Sequence, residues 1–355
     1  MTSAQRAFLK DGNVHQCIAT ALNVFEDFQE RRQIDKQLFV LSYDQEKAYD
    51  SVQDFTIKAS LERFNMPHPF ITYILSNLEN ATSCFKTHFG LTEEFKVETS
   101  VRQGDPLSPL VYICVVDALH EGWKNNPLYG TRTGYTFTNA RDLTIASTGY
   151  ADDAMIYASS WEEIWQMHQW TREFCRVHGF KINNTKTKFI ISDFDNKEET
   201  RWLPSVSGTE RIIPIPPDTE FRYLGTYISL NLTSKTNSTA INKAIVTWRW
   251  KALAQKIDPA QLATTVRELL FPKLELLLVY SYDITEGMCQ AWLGMIIETI
   301  TKRGGLNENG ATISRASFCS LANIPHLWER VNTIRATEFF LSLNTRNCLS
   351  GESKS

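Results

Sequence analysis

Two adjacent aspartates interrupt an apolar stretch that is otherwise typical of a buried strand. The sequence GYADDAMIYA covers residues 149–158, with Asp152 and Asp153 near its centre. Buried carboxylates cost free energy unless they are paired, hydrogen-bonded or bound to a metal ion. The stretch therefore predicts two strands joined by a tight turn that carries the acids, here called the acid turn (residues 151–153). This feature limits both the fold and the chemistry.

The composition is that of an ordinary globular protein. Of the 355 residues, 43% are hydrophobic and 22% are charged, which suffices for two domains or one large one. The longest apolar runs, at 110–116 and 274–280, are too short to cross a bilayer, and the N-terminus does not resemble a secretory signal. The seven cysteines form no CxxC pair. We therefore expect an intracellular protein that is not secreted and does not contact a membrane.

The net charge of the chain does not indicate a nucleic-acid partner. The formal net charge is −3, whereas a protein that binds a polyanion normally carries a basic surface. From Thr236 onward there are 13 Lys and Arg against 10 Asp and Glu. The C-terminal third is therefore slightly positive.

Hydrophobic periodicity indicates interleaved helices and strands up to about residue 230, and mainly helices from 237 onward. The predicted helices cover 13–33, 50–65, 69–80, 106–123 and 160–178. The predicted strands lie at 37–44, 83–100 (a hairpin), 149–158, 180–192 and 222–230. This order predicts an α+β domain on an antiparallel sheet, with the acid turn at one edge, and then a helical domain. In the helix at 50–65, Asp50 is the expected N-cap and Gln53 completes a capping box.

A third acid is expected near the acid turn. Asp44 ends the apolar run at 37–44 and begins a polar segment. Phosphoryl transfer with two divalent ions needs carboxylates that hold the ions about 3.5–4 Å apart, and Mg²⁺ prefers oxygen ligands. Any one of these aspartates is explained equally well as a residue that ends a strand or stabilises a turn. The segments around them decide in favour of a shared site.

Five ordered segments resemble motifs of the reverse transcriptases of non-LTR, LINE-type retrotransposons. These are DQEKAYD (44–50, motif A), RQGDPLSPLVY (102–112, motif B), YADD (150–153, motif C), GFKINNTKTKFI (179–190, motif D) and RYLGTYI (222–228, motif E). The segment AQRAFLKDGNVHQCI (4–18) is similar to the finger segment that precedes motif A. Four residues such as YADD recur by chance, but five motifs in the right order over residues 4–230 are very specific.

The resemblance implies a right-hand polymerase of the α+β class. Residues 1–36 would be a partial fingers segment, and residues 37–235 would be the palm, an antiparallel sheet with packed helices. Residues 236–355 would form a mainly helical, thumb-like or connection region. Further finger strands and an endonuclease domain would belong to a longer polyprotein, so the chain is expected to be an N-terminally truncated core.

The resemblance also implies the catalytic residues. Asp44, Asp152 and Asp153 would hold two Mg²⁺ ions, or Mn²⁺, one activating the primer 3′-hydroxyl and one clamping the incoming triphosphate. Asp153 has an alternative role, since an adjacent acid can stabilise the turn instead. Lys186 would protonate or steady the departing pyrophosphate, and a merely solvated lysine is an equal alternative.

Nucleotide contacts are implied for motifs A and B. Tyr49 would be the gate that excludes a ribose 2′-hydroxyl, with a core tyrosine as the alternative. Arg102 would meet a phosphate or the template, with a surface arginine as the alternative. Gln103 and Gly104 would let the backbone approach the nascent base pair, because glycine adopts conformations closed to other residues.

In motif E, Tyr223, Leu224 and Gly225 would form the primer grip, or a hairpin that packs the palm against the thumb. The implied function is RNA-directed DNA polymerase, which transfers a nucleotide from a dNTP to a DNA primer on an RNA template. Two alternatives stay open: an inactive, truncated retroelement remnant that at most binds RNA, and an RNA-dependent RNA polymerase. The near-neutral charge favours the first alternative, and a second motif-A acid at Asp50 would serve the second.

Overall fold

The computed structural model describes residues 2–10, 12–30, 37–79, 82–96, 101, 104–137, 143–193, 201–303 and 314–337. The chain divides into two compact units, Met1–Pro217 and Asp218–Ser355, and each unit has its own hydrophobic core. Helices and strands are mixed, as the sequence predicts. Within the described ranges, no helix is both long enough and apolar enough to cross a membrane.

A five-stranded sheet forms the centre of the first unit. Its strands are β1 (Phe39–Tyr43), β2 (Ser147–Tyr150), β3 (Asp153–Ala158), β4 (Lys188–Ile191) and β5 (Pro214–Ile215), in the spatial order β2-β3-β1-β4-β5. All neighbours are antiparallel except the parallel pair β4 and β5. The strand β1 is central and almost fully buried, as its continuous apolar run predicts. The hairpin β2–β3 with the acid turn lies at one edge.

In the described part of the first unit, five helices complete the main elements. They are α1 (Val14–Glu30), α2 (Asp54–Arg63), α3 (His68–Glu79), α4 (Ser108–Lys124) and α5 (Trp161–His178). Helix α5 begins where Ser160 accepts a hydrogen bond from Glu163 N, and it ends at Gly179, which has the left-handed conformation (φ 75°) that caps helices. Its Trp161, Trp165 and Trp170 pack against the core, as predicted from their helical spacing.

Short antiparallel pairings join the loops of the first unit. They connect Gln45–Glu46 with Lys181–Ile182, Thr82–Ser83 with Phe95–Lys96, Lys86–Thr87 with Gly90–Leu91, Asn125–Asn126 with Thr131–Arg132, Tyr135–Thr136 with Thr144–Ile145, and Leu203–Pro204 with Arg211–Ile212. The predicted hairpin in 83–100 is therefore present over residues 82–96, residues 97–100 lying outside the described part, and Gly90 (φ 118°) follows its tip. The first of these pairings links motif A to motif D.

The predicted capping box at the start of α2 is wrong. The helix begins at Asp54, with Gln53 at the N-cap and no side-chain capping bond among the described residues. Asp50 belongs to the preceding turn, in which Lys47 has a positive φ of 47° and its carbonyl accepts from Ser51 N. The end of motif A therefore forms a turn of its own, which delays the helix.

The second unit is a hairpin followed by helices. The hairpin joins β6 (Phe221–Tyr223) to β7 (Thr226–Ile228). The helices are α6 (Lys235–Ala254), α7 (Pro259–Thr265), a π-helical turn (Val266–Leu270), α8 (Phe271–Val279), α9 (Glu286–Arg303) and α10 (Arg315–Leu321), and residues 327–337 are also helical. The buried Asn237 of α6 binds both backbone groups of Tyr227, at 2.8 and 2.9 Å, and so fastens the hairpin to the helix.

The units divide at Pro217 and Asp218, whereas the sequence predicts a first domain that runs to residue 235. The difference has a local cause. The Glu220 carboxylate accepts from the backbone N–H groups of Lys235 and Thr236, at 2.8 and 2.7 Å, and thus satisfies free donors at the start of α6. Because the motif E hairpin is fastened to α6 at both ends, it belongs to the second unit.

We expect two buried histidines to make the stability of the first unit depend on pH. Burial lowers the pKa of His120 and of His168 from 6.5 to about 4. Between these values the unfolded chain binds more protons than the native chain, so the free energy of unfolding is highest above pH 6.5 and falls as the pH drops toward 4. We expect a loss of about 2 kcal/mol per histidine by about pH 5.

Urea unfolding at neutral pH and at about pH 5 measures this loss. Replacing His168 with glutamine should lower the stability at neutral pH and flatten its dependence on pH, because one titrating group is removed. Replacing the exposed His88 with glutamine should leave the wild-type dependence intact. If the free energy of unfolding depended equally on pH in the wild-type and His168→Gln proteins, the role given to His168 would be contradicted.

Candidate active site

Three aspartates lie at one end of two neighbouring strands. In the antiparallel pair β1–β3, Tyr43 is opposite Ala154. Asp44 directly follows Tyr43 and Asp153 directly precedes Ala154, so these two acids lie beside each other at the end of the pair. Asp152 is the next residue along the hairpin. Residues that are distant in sequence are thus brought together by strand register.

The acid turn has a constrained backbone. Tyr150 pairs with Asp153, which leaves Ala151 and Asp152 as a two-residue connection between β2 and β3. Ala151 has a φ of 56°, in the left-handed region that residues other than glycine seldom adopt. Asp152 is exposed, whereas Asp153 is half-buried. Only one of the two acids is therefore in the turn itself, and the other begins β3.

The electrostatics of the site favour a cation. Protein around Asp152 displaces water and raises the pKa of its carboxyl group; its own backbone N–H lowers this pKa, the negative charge of Asp44 raises it, and Lys186 lowers it. The negative charges of Asp44 and Asp152 thus repel each other. Bound positive charge would relieve that repulsion.

Lys186 supplies one positive charge to this site. Its Nζ lies 3.3 Å from Oδ2 and 3.4 Å from Oδ1 of Asp44. The lysine side chain is 65% exposed and that of Asp44 is 30% exposed, so the contact is largely solvated and contributes little to stability. The structure is compatible with both interpretations of Lys186, as a solvated side chain and as a residue of the site.

Asn183 organises the turn that carries Lys186, and sequence reasoning missed it. Its backbone N–H donates to Asp44 O at 2.8 Å. Its side-chain Oδ1 accepts from the backbone N–H groups of Thr185 and Lys186, at 3.1 and 3.3 Å. This is the side-chain-to-backbone pattern of an Asx turn. The Asn-x-Thr spacing at 183–185 was the signal available in the sequence.

Two tyrosines form a stacked pair near the acids. The rings of Tyr49 and Tyr112 lie 4.6 Å apart with an interplanar angle of 21°, and the buried Tyr112 hydroxyl donates to Gln45 Oε1 at 2.6 Å. Burial and then the charge of Asp152 raise the pKa of Tyr49. Tyr49 is half-buried and packs against the core, so its core role and a role beside the site coexist. Tyr112, the last residue of motif B, was missed as its support.

Motif B is only partly described. Gly104 has a φ of 95°, and a Cβ placed there would lie more than 4 Å from every described residue other than its neighbours in the chain. The neighbouring Val101 N–H donates to Tyr49 O at 3.1 Å and so joins this loop to motif A. Arg102 and Gln103 lie outside the described residues. Their predicted contacts with nucleotide and template stay predictions.

The donor set suits a metal that arrives with its substrate. Among the described residues, no three His, Cys, Asp or Glu side chains are gathered closely enough to hold an ion by themselves. Mg²⁺ at phosphate-handling sites usually takes only one or two protein carboxylates, and substrate oxygens and water complete its shell. Asp44 and Asp152, whose negative charges repel each other, fit that requirement. A complete set of three carboxylate ligands stays a prediction.

The predicted primer-grip residues lie in the second unit. Leu224 (φ 47°) and Gly225 (φ 90°) form the turn of the β6–β7 hairpin, and Tyr223 is buried beneath it. A cavity of about 580 Å³ opens beside this hairpin within the same unit. Its lining includes four exposed cations and two aromatic rings: Arg222, Lys243, Lys251, Lys273, Tyr227 and Trp248.

Comparison with known proteins gives the family. Residues 1–228 match the family described as reverse transcriptase (RNA-dependent DNA polymerase), and the chain belongs to this family. Its relatives include Pol polyproteins of non-LTR retrotransposons. This chain is 25% identical over 193 residues to the Pol polyprotein of the element R2DM of Drosophila melanogaster, and the alignment covers 54% of this chain and 17% of the relative. It is 25% identical over 247 residues to that of an R2 element of Popillia japonica, covering 69% and 33%.

A protein of the transposon TX1 of Xenopus laevis is 22% identical over 240 residues, covering 66% of this chain and 17% of its own. The chain thus spans a third or less of the length of these three relatives. Among solved structures, apo telomerase from Candida tropicalis aligns with 84% of this chain and 51% of its own, at 13% identity and a TM-score of 0.46.

Proposed function

We propose that this chain is the polymerase core of a non-LTR retroelement and that it extends a DNA primer on an RNA template with dNTPs. The observation that supports this most strongly is the meeting of Asp44 with the acid turn at one end of β1 and β3, in a chain of the reverse transcriptase family. The resemblance to the family depends on the order of the five motifs along the sequence. The strand register that brings Asp44 to the acid turn is independent of that order.

In this proposal the first unit contains the partial fingers segment, at 1–36, and the palm. The second unit contains the primer grip of Tyr223, Leu224 and Gly225 and the thumb-like helical region. The cations beside the hairpin in the second unit support contact with nucleic acid, because phosphate neutralisation supplies much of the affinity for a polynucleotide. The remainder of a longer polyprotein would contribute other activities.

Each residue of the site has its own role in nucleotide transfer. Asp44 and Asp152 would hold Mg²⁺ or Mn²⁺, with Asp153 as the third ligand or as support for the turn. When bound, the two ions supply neutralisation of the triphosphate and activation of the primer 3′-hydroxyl. Lys186 has an exposed ammonium on a flexible stem and would neutralise or protonate the departing pyrophosphate. Positioning and charge thus account for most of the catalysis.

Tyr49 should select the sugar of the incoming nucleotide. Its ring stacks on that of Tyr112, so removal of the ring opens space beside the acids. We expect Tyr49→Ala to weaken the preference for dNTP over NTP by roughly 10- to 100-fold, the discrimination available from a steric pocket. Tyr49→Phe keeps the ring and should keep the preference. Ratios of kcat/KM for dGTP and GTP on one template measure this; an unchanged ratio in Tyr49→Ala would contradict the gate.

Primer extension by the full chain tests the proposed function. An RNA template with an annealed DNA primer, dNTPs and Mg²⁺ should give extension, and chelation of the metal should stop it. Extension with NTPs in place of dNTPs would favour an RNA-dependent RNA polymerase. Binding of the template–primer without extension in either nucleotide set, with Mg²⁺ or Mn²⁺, would favour an inactive remnant.

A further inference from the structure

The N-terminal segment covers the edge strand that leads to the acid turn. Gly149 N–H donates to Ala4 O and Gly149 O accepts from Arg6 N–H, both at 2.9 Å. Gln5 thereby forms a parallel bridge with Gly149. Gln5, close to the start of the chain, is thus held beside Gly149, which lies two residues before Ala151.

The Gln5 side chain binds both backbone groups of Ala151. Its Nε2 donates to Ala151 O at 3.1 Å, and its Oε1 accepts from Ala151 N–H at 3.1 Å. The same Oε1 accepts from the N–H groups of Arg6 and Ala7, both at 3.0 Å. Gln5 is 1% exposed, so these bonds are made away from competing water.

This clamp acts on the strained residue of the turn. Ala151 has the left-handed φ of 56°, which an L-residue adopts only when its surroundings impose it. Asp152 follows directly, so the direction of its carboxylate depends on that backbone conformation. We propose that Gln5 is a positioning residue: by holding Ala151 it aims Asp152 at the metal beside Asp44. This inference rests on the proposed function.

A glutamine is the side chain that suits this clamp. Two opposite bonds to one peptide residue need a donor and an acceptor at the same end of the side chain, which an amide provides. Asparagine is one methylene shorter. Glutamate lacks the donor and would add a negative charge near three aspartates. Methionine has a similar length but forms neither bond, so Gln5→Met removes the clamp with little change in volume.

The control variant is Gln166→Met. Gln166 is also a buried glutamine of the first unit that makes two side-chain bonds, accepting from Thr131 Oγ1 at 2.6 Å and donating to Glu162 Oε1 at 2.9 Å. Neither partner belongs to the acid turn. Both variants should lose stability, so any effect on metal binding that is confined to Gln5→Met reports on positioning. All measurements are made at a temperature at which circular dichroism shows both variants folded.

Three readouts are compared in the full chain. The first is hydrogen exchange of the peptide that contains Ala151, the second is the dissociation constant for Mn²⁺ from titration, and the third is the Mg²⁺ concentration that gives half-maximal primer extension. Loss of the clamp should raise each by about tenfold, the order expected when a buried hydrogen-bonded pair is lost. Gln166→Met should match the wild type in all three.

Unchanged exchange at the turn in Gln5→Met would overturn the clamp. Faster exchange with unchanged Mn²⁺ affinity and Mg²⁺ midpoint would overturn the positioning role, since Gln5 would then be structural only. These outcomes are distinct from failure of the proposed function. In that case the wild-type chain itself would not extend a primer with dNTPs, and the positioning role would fall with it, whereas hydrogen exchange at the turn would still show whether the clamp exists.

Discussion

Replacing Asp152 with asparagine should lower primer extension by at least about a thousandfold, because a metal-held charge is worth several kcal/mol in the transition state. The fold should not suffer. Displacement of water by the surrounding protein, and then Asp44, raise the pKa of Asp152 although its side chain reaches solvent, which means that its charge opposes folding in the absence of metal. The neutral amide should therefore leave the free energy of unfolding unchanged or slightly higher, as is common at functional sites.

Extension rates and thermal unfolding without metal measure the two effects together. Asp218→Asn, at an exposed position, is the matched control and should extend like the wild type. Asp44→Asn should be as damaging as Asp152→Asn. Asp153→Asn decides whether that residue is a ligand, with an equal loss, or supports the turn, with a smaller loss and reduced stability. Extension that survives in Asp152→Asn would contradict the metal assignment.

Replacing Trp123 with alanine should destabilise the first unit by about 3–5 kcal/mol, the range for truncation of a large buried aromatic. The ring is fully buried and stacks on Tyr43 at 5.9 Å. Its edge-to-face contact with His120 is 4.9 Å between centroids. Its Nε1 donates to Thr171 Oγ1 at 2.8 Å, so the substitution also removes a buried bond.

Denaturant unfolding followed by circular dichroism measures the loss. Trp250, which is 70% exposed, provides the control, and Trp250→Ala should change the free energy of unfolding by less than about 0.5 kcal/mol. Trp123→Phe should fall between the two, because it keeps most of the apolar area and loses the bond to Thr171. A loss below about 1 kcal/mol in Trp123→Ala would show that the core repacks around the gap.

The centre of the sheet could be predicted because apolar patterning alone determines it. The run at 37–44 has no polar face and must be buried on both sides, and the stretch 149–158 is apolar except at its acids. Their antiparallel register then brings Asp44 to the acid turn. Hydrophobic order along the chain therefore predicted the mixture of helices and strands, whereas the approach of Asp44 to the acid turn was expected from the resemblance of the motifs.

Features that depend on contacts between distant residues were not predictable. Glu220 caps α6 from 15 residues away, which moves the unit boundary from 235 to 217. The residues from Asp50 onward match a capping box in the local sequence, but the chain forms a turn between Lys47 and Ser51 there instead. Gln5 reaches Ala151 across 146 residues. No local pattern signals such a bond, because the sequence shows only an ordinary polar residue.

The cover on strand β2 also bears on solubility. An uncovered edge strand presents a row of free N–H and C=O groups, on which another chain can build a sheet. Here Ala4 and Arg6 occupy both backbone groups of Gly149, in the middle of that edge. Trimming these few residues to make a shorter protein for crystallisation would uncover the edge, and self-association would follow even if the catalytic motifs were all retained.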